Sequence, residues 1–291
     1  MNIIKSRNFL IFTDLDGTLL YHDTYSFDAA RCALDHLKEL DIPLIFCTSK
    51  TKAEVELWRE RLRNADPFIT ENGGGIFFCR SFQLNHVPHV EKSDYSVIEL
   101  GIPHDKLMAH FNTLKERLGN KILGFSEMSI SDLMNLTGLP YDEVLLSKER
   151  DYTEPFAFFG NQEDQRELLD IVKELNLNLT KGGRFYHLLG DNDKGKAVKI
   201  VIDIYKDKFL HLKTVGIGDS YNDLPMLEVV DIPVLVQKPG GTYDDQIDLP
   251  YLLHAPGIGP AGFNEALLSI LSSTEEERRQ THRSMKKNEN P

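Results

Sequence analysis

The chain has 291 residues, 45 acidic and 33 basic, giving a formal net charge of −12. That balance argues against nucleic acid or an acidic membrane surface as the main partner, and the length suffices for one large or two medium domains. No apolar run approaches a membrane span, and MNIIKSRN leads directly into the first strand without room for a signal peptide, so a soluble, cytoplasmic protein is expected. Cys32, Cys47 and Cys79 are odd in number and lack metal-ligand spacing; they read as free thiols of a reducing compartment.

Asn8 to Phe12 forms a short apolar strand that delivers Asp14 and Asp16 to a Gly-Thr turn, FTDLDGTLL. Phe27, Ala30, Leu34, Leu37 and Leu40 recur at helical spacing, IPLIFC (Ile42 to Cys47) is the next buried strand, and Val55, Trp58 and Leu62 mark a second helix ended by Pro67. In ENGGGIFF the glycine run predicts a tight turn between Ile69 and Ile76. Strands alternating with amphipathic helices are the pattern of parallel βαβ units.

From about Asn85 the rhythm changes. VIEL, a helix with Leu107, Phe111, Leu114 and Leu118, then ILGFS, two short helices, FAFF, a helix near Gln165 to Leu175, LNLT and RFYHLLG read as an α+β module. After Gly190 the parallel pattern resumes with a helix from Gly195 to Tyr205, KTVGIG and IPVLVQ. The expected architecture is therefore α/β, a Rossmann-like parallel sheet with helices on both faces. Its core spans 1–84 and 190–273, an α+β cap is inserted at 85–189, and the polar tail 274–291 is expected to fray.

Four short stretches carry chemistry. Asp14 and Asp16 sit at a carboxyl-terminal strand edge, where open α/β sheets bind ligands, although a bare DxD also occurs as a solvated turn. GIGDSYNDLPML places Asp219 and Asp223 after a second strand; carboxylates from two strand ends suit Mg²⁺, and no Cys/His cluster favours a softer ion. CTSKT offers Thr48, Ser49 and Lys50 at a helix start, a setting for phosphate oxygens or simply an N-cap. DNDKGKA offers Lys194 at another helix start.

In the order DxDGT, Thr/Ser, Lys, GDxxND, these elements resemble the haloacid dehalogenase-like hydrolases over roughly residues 8 to 271, and the inserted module resembles the cap of the Cof-type branch. Within that branch the chain is most similar to the mannosyl-3-phosphoglycerate phosphatases, through CTSKT, ENGGGIFF, GFSEMS (Gly124 to Ser129), RDYTEPFAF (Arg150 to Phe158) and GGRFYHLLGDNDKGKA. Many capped relatives read Thr-Gly-Arg where this chain has Thr48-Ser49-Lys50, which leaves open whether Thr48 or Ser49 supplies the hydroxyl.

The resemblance implies an enzyme that releases phosphate from a mannosyl- or glucosyl-3-phosphoglycerate, giving a glycosylglycerate of the compatible-solute kind. A broader sugar-phosphate phosphatase and a phosphomannomutase are the alternatives. It implies Asp14 as nucleophile and Asp16 as general acid/base. Mg²⁺ would be held by Asp14 and Asp219 with Asp223 nearby, and by Asp16 through its backbone carbonyl. Lys194 and Thr48 would stabilise the phosphoryl oxygens, and Asn222 would orient Lys194 or a ligand. Ser49, Lys50 and Asn72 are candidate substrate contacts. Arg150, Lys181 and Arg184 are candidates for a glycerate carboxylate, each equally readable as a surface cation. His187, in an apolar strand, reads as a packed core histidine. A small phosphorylated substrate is the only partner expected, with the chain a monomer or homodimer.

Overall fold

The computed structural model describes residues 9–273. The expectation of a fraying tail lies outside them.

Two sheets organise the described residues. The larger has nine strands: β1 (Phe9–Thr13), β2 (Leu44–Cys47), β3 (Phe68–Thr70), β4 (Gly75–Cys79), β5 (Val90–Lys92), β6 (Tyr95–Glu99), β11 (Lys213–Gly218), β12 (Ile232–Gln237) and β13 (Leu253–Ile258). Their spatial order is β13-β12-β11-β1-β2-β3-β4-β6-β5. From β13 to β3 the neighbours are parallel, and from β3 to β5 they are antiparallel. All five residues of β1 are buried, as a strand covered on both faces requires.

Helices cover both faces. Leu34 and Leu37 of α1 (Arg31–Glu39), Val55, Trp58 and Leu62 of α2 (Lys52–Leu62), and Phe263 and Leu267 of a carboxyl-terminal helix over 260–273 pack with Phe9 and Ile11. On the opposite face Val198, Val201 and Ile202 of α7 (Lys194–Lys206) and Met226 of α8 (Leu224–Leu227) pack with Leu10 and Phe12. The chain leaves β1 toward β2 on one side and returns through β11 on the other. This reversal makes the crevice at their carboxyl ends the expected ligand site of the sheet.

The smaller antiparallel sheet, ordered β7-β8-β10-β9, comprises β7 (Ile122–Gly124), β8 (Glu154–Phe158), β9 (Asn178–Gly182) and β10 (Phe185–Leu189). Alternation along its strands separates two clusters. Phe156 and Leu188 pack outward under α3 (His104–Leu118) and α6 (Gln162–Glu174), while Ala157 faces inward with Phe125, Leu133 of α4 (Ile130–Thr137) and Val144 of α5 (Tyr141–Ser147).

The sequence grouped VIEL with the second module; here it belongs to β6, whose Ile98 pairs with Ile76 in the large sheet. An antiparallel extension at a sheet edge breaks the βαβ rhythm without leaving the layer, so a change of rhythm misplaces the boundary. The small sheet and the helices packed on it lie within residues 104–189. The turn expected between Ile69 and Ile76 is a single 3₁₀ turn, Glu71–Gly73, and those two isoleucines face each other across the β3–β4 pair.

The small sheet is seated on the large one by more than its two chain crossings. Glu71, wholly buried, accepts hydrogen bonds from the backbone N–H groups of Asp151, Tyr152 and Thr153 and from the Thr153 hydroxyl, at 2.7–3.0 Å. Glu71 and Asn72 both have left-handed backbone (φ 49° and 54°), a strained pair that this anchoring holds in place. Tyr152 packs against Gly74 and Gly101, where any Cβ would lie within 2.6 Å of its own, and donates to Glu99 at 2.7 Å. Thr51 Oγ1 donates to the Leu146 carbonyl at 2.9 Å, and Arg61 pairs with Glu143.

Candidate active site

The DLDGTLL turn is fixed by its own leucines: Leu15, Leu19 and Leu20 are wholly buried, and Gly17 (φ 84°) donates to the Leu20 carbonyl. Asp14 N–H donates to Ile217 O, which locks the end of β1 to β11. The loop after β11 is equally constrained, because Asp223 Oδ2 accepts from the N–H groups of Asp219 and Ser220. Asp193 caps α7 by accepting from Lys196 N–H, placing Lys194 at the head of the helix.

These three elements converge. Lys194 Nζ lies 2.8 Å from Asp14 Oδ1 and 2.6 Å from Asp223 Oδ1, with all three side chains buried. Carboxylate oxygens of Asp14, Asp219 and Asp223 lie within 4.8 Å of one another. Burial, opposed by Lys194 and reinforced by Asp223 and Asp219, pushes the Asp14 pKa up to about 7. Burial alone would lower the Lys194 pKa, but Asp14 and Asp223 raise it above the ordinary lysine range. One ammonium among three buried carboxylates leaves excess negative charge, and the donors are all oxygen. Both facts fit a hard divalent cation.

Asp16 is turned away from that cluster, and its carboxylate is not among the grouped metal-ligating oxygens. Its Oδ2 pairs with Lys50 Nζ at 2.9 Å, while its buried Oδ1 has no partner among the described residues. Lys50 is itself buried, 3.4 Å from Glu54 and over the Tyr25 ring. Burial works against its charge, but Asp16 and Glu54 raise its pKa. Lys50 thus holds Asp16 and also reaches the wall of the cavity described next.

Above Asp14 and Asp16 opens a cavity roofed by the small sheet. Its wall includes Ser49, Lys50, Ser220 and Asn222 from below and Phe125, Ser147, Arg150, Arg184, Phe185 and His187 from above. Arg150 is no surface cation: its side chain is 6% exposed, with Nε donating to Ser147 O and Nη1 to Ser49 O, both at 2.8 Å. Arg184 lines the cavity and donates to the Leu136 and Thr137 carbonyls. Lys181 lies elsewhere, exposed over the Tyr186 ring. Ser49 reaches the cavity wall, whereas Thr48 is wholly buried and its Oγ1 accepts from Lys50 N–H. Asn72 is buried with both side-chain amide atoms unpartnered, and Asn222 accepts from Ser220 Oγ at 2.7 Å.

Among the wall residues that went unread in the sequence are His22, Tyr25 and Glu54. His22 Nε2 lies 3.5 Å from Asp219 Oδ2, and that hydrogen bond raises its pKa against the effect of burial; a lone histidine six residues past Asp16 carries no sequence signal. Tyr25 has none either. Glu54 had one: Thr51 and Glu54 form a capping box, visible as T-x-x-E before an apolar helix face.

Paired acidic strand-end loops, a buried lysine and a roofed cavity define a hydrolase of the haloacid dehalogenase-like (HAD) kind. The model of that family matches residues 11–238, and the chain belongs to it. The chain is 46% identical over 265 residues to the glucosyl-3-phosphoglycerate/mannosyl-3-phosphoglycerate phosphatase of Methanococcoides burtonii, covering 90% of this chain and 97% of that protein. It is 38% identical over 227 residues to the mannosyl-3-phosphoglycerate phosphatase of Pyrococcus horikoshii, covering 78% and 90%. Among solved structures, the sucrose-phosphatase of Synechocystis superposes with a TM-score of 0.59 at 16% identity, covering 90% and 98%. A HAD subclass IIB sugar phosphatase gives 0.62 at 16%, covering 91% and 98%. These structural likenesses speak to the fold.

Proposed function

We propose that the chain hydrolyses the phosphate monoester of glucosyl-3-phosphoglycerate or mannosyl-3-phosphoglycerate, releasing phosphate and the glycosylglycerate, with Mg²⁺ as its cation. The observation that carries this reading is the convergence of Asp14, Asp219, Asp223 and Lys194 below a roofed cavity. Relatives named for both substrates, aligned over most of their length, support the choice of substrate.

Asp14 attacks phosphorus and becomes an aspartyl phosphate as the alcohol departs, so one difficult displacement is divided into two. The departing oxygen takes its proton from Asp16. Water then attacks the aspartyl phosphate, gives its proton to Asp16 and frees inorganic phosphate and Asp14. What supports this role for Asp16 is that Lys50 fixes one carboxylate oxygen while the other has no partner among the described residues. Lys194 neutralises charge on the transferring phosphoryl group, with Thr48 or Ser49 as the hydroxyl. Asp14, Asp219 and Asp223 would hold Mg²⁺, which when bound supplies the positive charge that lets an anionic nucleophile meet a phosphate dianion.

A panel of phosphate esters assayed with and without Mg²⁺ tests the reading. Metal-dependent phosphate release should be fastest from the two glycosyl-3-phosphoglycerates. Equal rates on hexose phosphates would defeat the narrow specificity, and conversion of mannose 1-phosphate to the 6-phosphate without phosphate release would replace hydrolysis by isomerisation.

A further inference from the structure

His187 stands on the inner face of the small sheet, opposite Pro155 of β8 and Thr180 of β9. Its position in a mostly apolar strand suggests packing, but two observations set it apart from a core residue. It is only 7% exposed and forms part of the cavity wall, and its buried Nδ1 has no hydrogen-bond partner among the described residues. A purely space-filling position is better served by an apolar ring, since a buried polar atom left unpaired is unfavourable. Its Nε2 lies near the Gly182 backbone, 3.8 Å from where a Cβ would stand, and Asn222 approaches the same point at 3.6 Å. The imidazole therefore belongs to the cavity at the place where the small sheet meets the Asp219–Asp223 loop.

We infer that His187 binds the leaving group, its ring exchanging a hydrogen bond with a hydroxyl of the alcohol released from phosphate. This rests on the phosphatase reading above. Burial, with Arg150 and Lys194 adding to it, pushes the His187 pKa down to about 3, so the ring is neutral and offers one N–H and one lone pair. A hydroxyl can accept from the N–H or donate to the lone pair, so either ring nitrogen can meet one. The neighbouring Arg150 suits the anionic part of the same leaving group.

Two variants and three substrates test the inference. His187→Phe keeps a ring and removes both polar atoms, whereas His187→Asn retains a donor and an acceptor. Each is assayed, after thermal unfolding has shown that it folds, on glucosyl-3-phosphoglycerate, on 3-phosphoglycerate without sugar, and on p-nitrophenyl phosphate. The expected result for His187→Phe is a rise in KM of about tenfold on the glycosyl substrate, the scale of one hydrogen bond, with p-nitrophenyl phosphate changed by less than about twofold. His187→Asn should recover part of the loss, and it carries the test if the phenylalanine variant does not fold. A KM rise confined to the larger substrate places the contact on a sugar hydroxyl, and one of the same size on 3-phosphoglycerate overturns the inference, because the glycerate of the glycosyl substrate has no free hydroxyl. Equal loss on all three substrates, or none on any, overturns the inference. If the wild type prefers hexose phosphates, the functional reading fails separately, and the same variants are compared on the preferred hexose phosphate against p-nitrophenyl phosphate.

Discussion

The large sheet and the small one treat their buried polar groups differently. At the carboxyl ends of β1 and β11, ion pairs orient the charged groups and leave net negative charge for a cation: Lys194 bridges Asp14 and Asp223, and Lys50 bridges Asp16 and Glu54. On the small sheet facing them, the neutral His187 leaves its Nδ1 without a hydrogen-bond partner among the described residues. A pre-paired network suits chemistry whose groups must be oriented before the substrate arrives. Open polar groups suit recognition, because the substrate completes them. Substitution of Asp14 or Lys194 below the cavity should therefore impair every substrate alike, substitution of Asp16 should follow the leaving group's need for a proton, and substitutions above the cavity should discriminate by leaving-group structure.

The largest effect is expected from Asp14→Asn, which should abolish phosphate release from all esters; retained release would assign the nucleophile elsewhere. Asp16→Asn should follow, lowering kcat by about 10²–10⁴-fold, the range of positioned acid–base groups. The loss should be smaller on p-nitrophenyl phosphate, whose leaving group needs no proton. Lys194→Ala should cost about 10²–10³-fold in kcat, the scale of one electrostatic stabiliser, uniformly across substrates.

Glu71→Ala tests how firmly the two regions are joined. Removing an acceptor that serves four donors strands several buried N–H groups, with a stability loss of roughly 3 kcal/mol expected in denaturant unfolding. A loss below about 0.5 kcal/mol, the usual scale of a surface change, would show that the small sheet is seated by other contacts.

The smallest effect concerns pH. His187 has its folded pKa at about 3 against an ordinary 6.5, so between those values the unfolded chain binds the extra proton. Its contribution to stability is present above 6.5 and declines as pH falls. The melting temperature of His187→Gln should thus drop less between pH 7 and pH 5 than that of the wild type; parallel curves would contradict the neutral, buried ring.

The sequence carried the lower region further than the upper one. Asp14, Lys194, Asp219 and Asp223 each follow a buried strand or open a helix, next to glycine or a capping residue, so local pattern announced that they stand at one sheet edge. Arg150 and His187 belong to the cavity only because the small sheet folds over it. Nothing within a few residues of either records that contact, and alternation alone put His187 inside without saying what lay opposite. β5 and β13 escaped for a related reason: Val90–Lys92 is exposed throughout, and LHAPGI carries Pro and Gly where a strand signal would need β-branched residues.

The most direct test of the division between the two regions is a comparison of kcat/KM for Lys194→Ala and His187→Phe on glucosyl-3-phosphoglycerate and p-nitrophenyl phosphate in saturating Mg²⁺. The account predicts that Lys194→Ala loses activity by the same factor on both esters, while His187→Phe loses it only on the glycosyl substrate. Indistinguishable ratios for the two variants would contradict it.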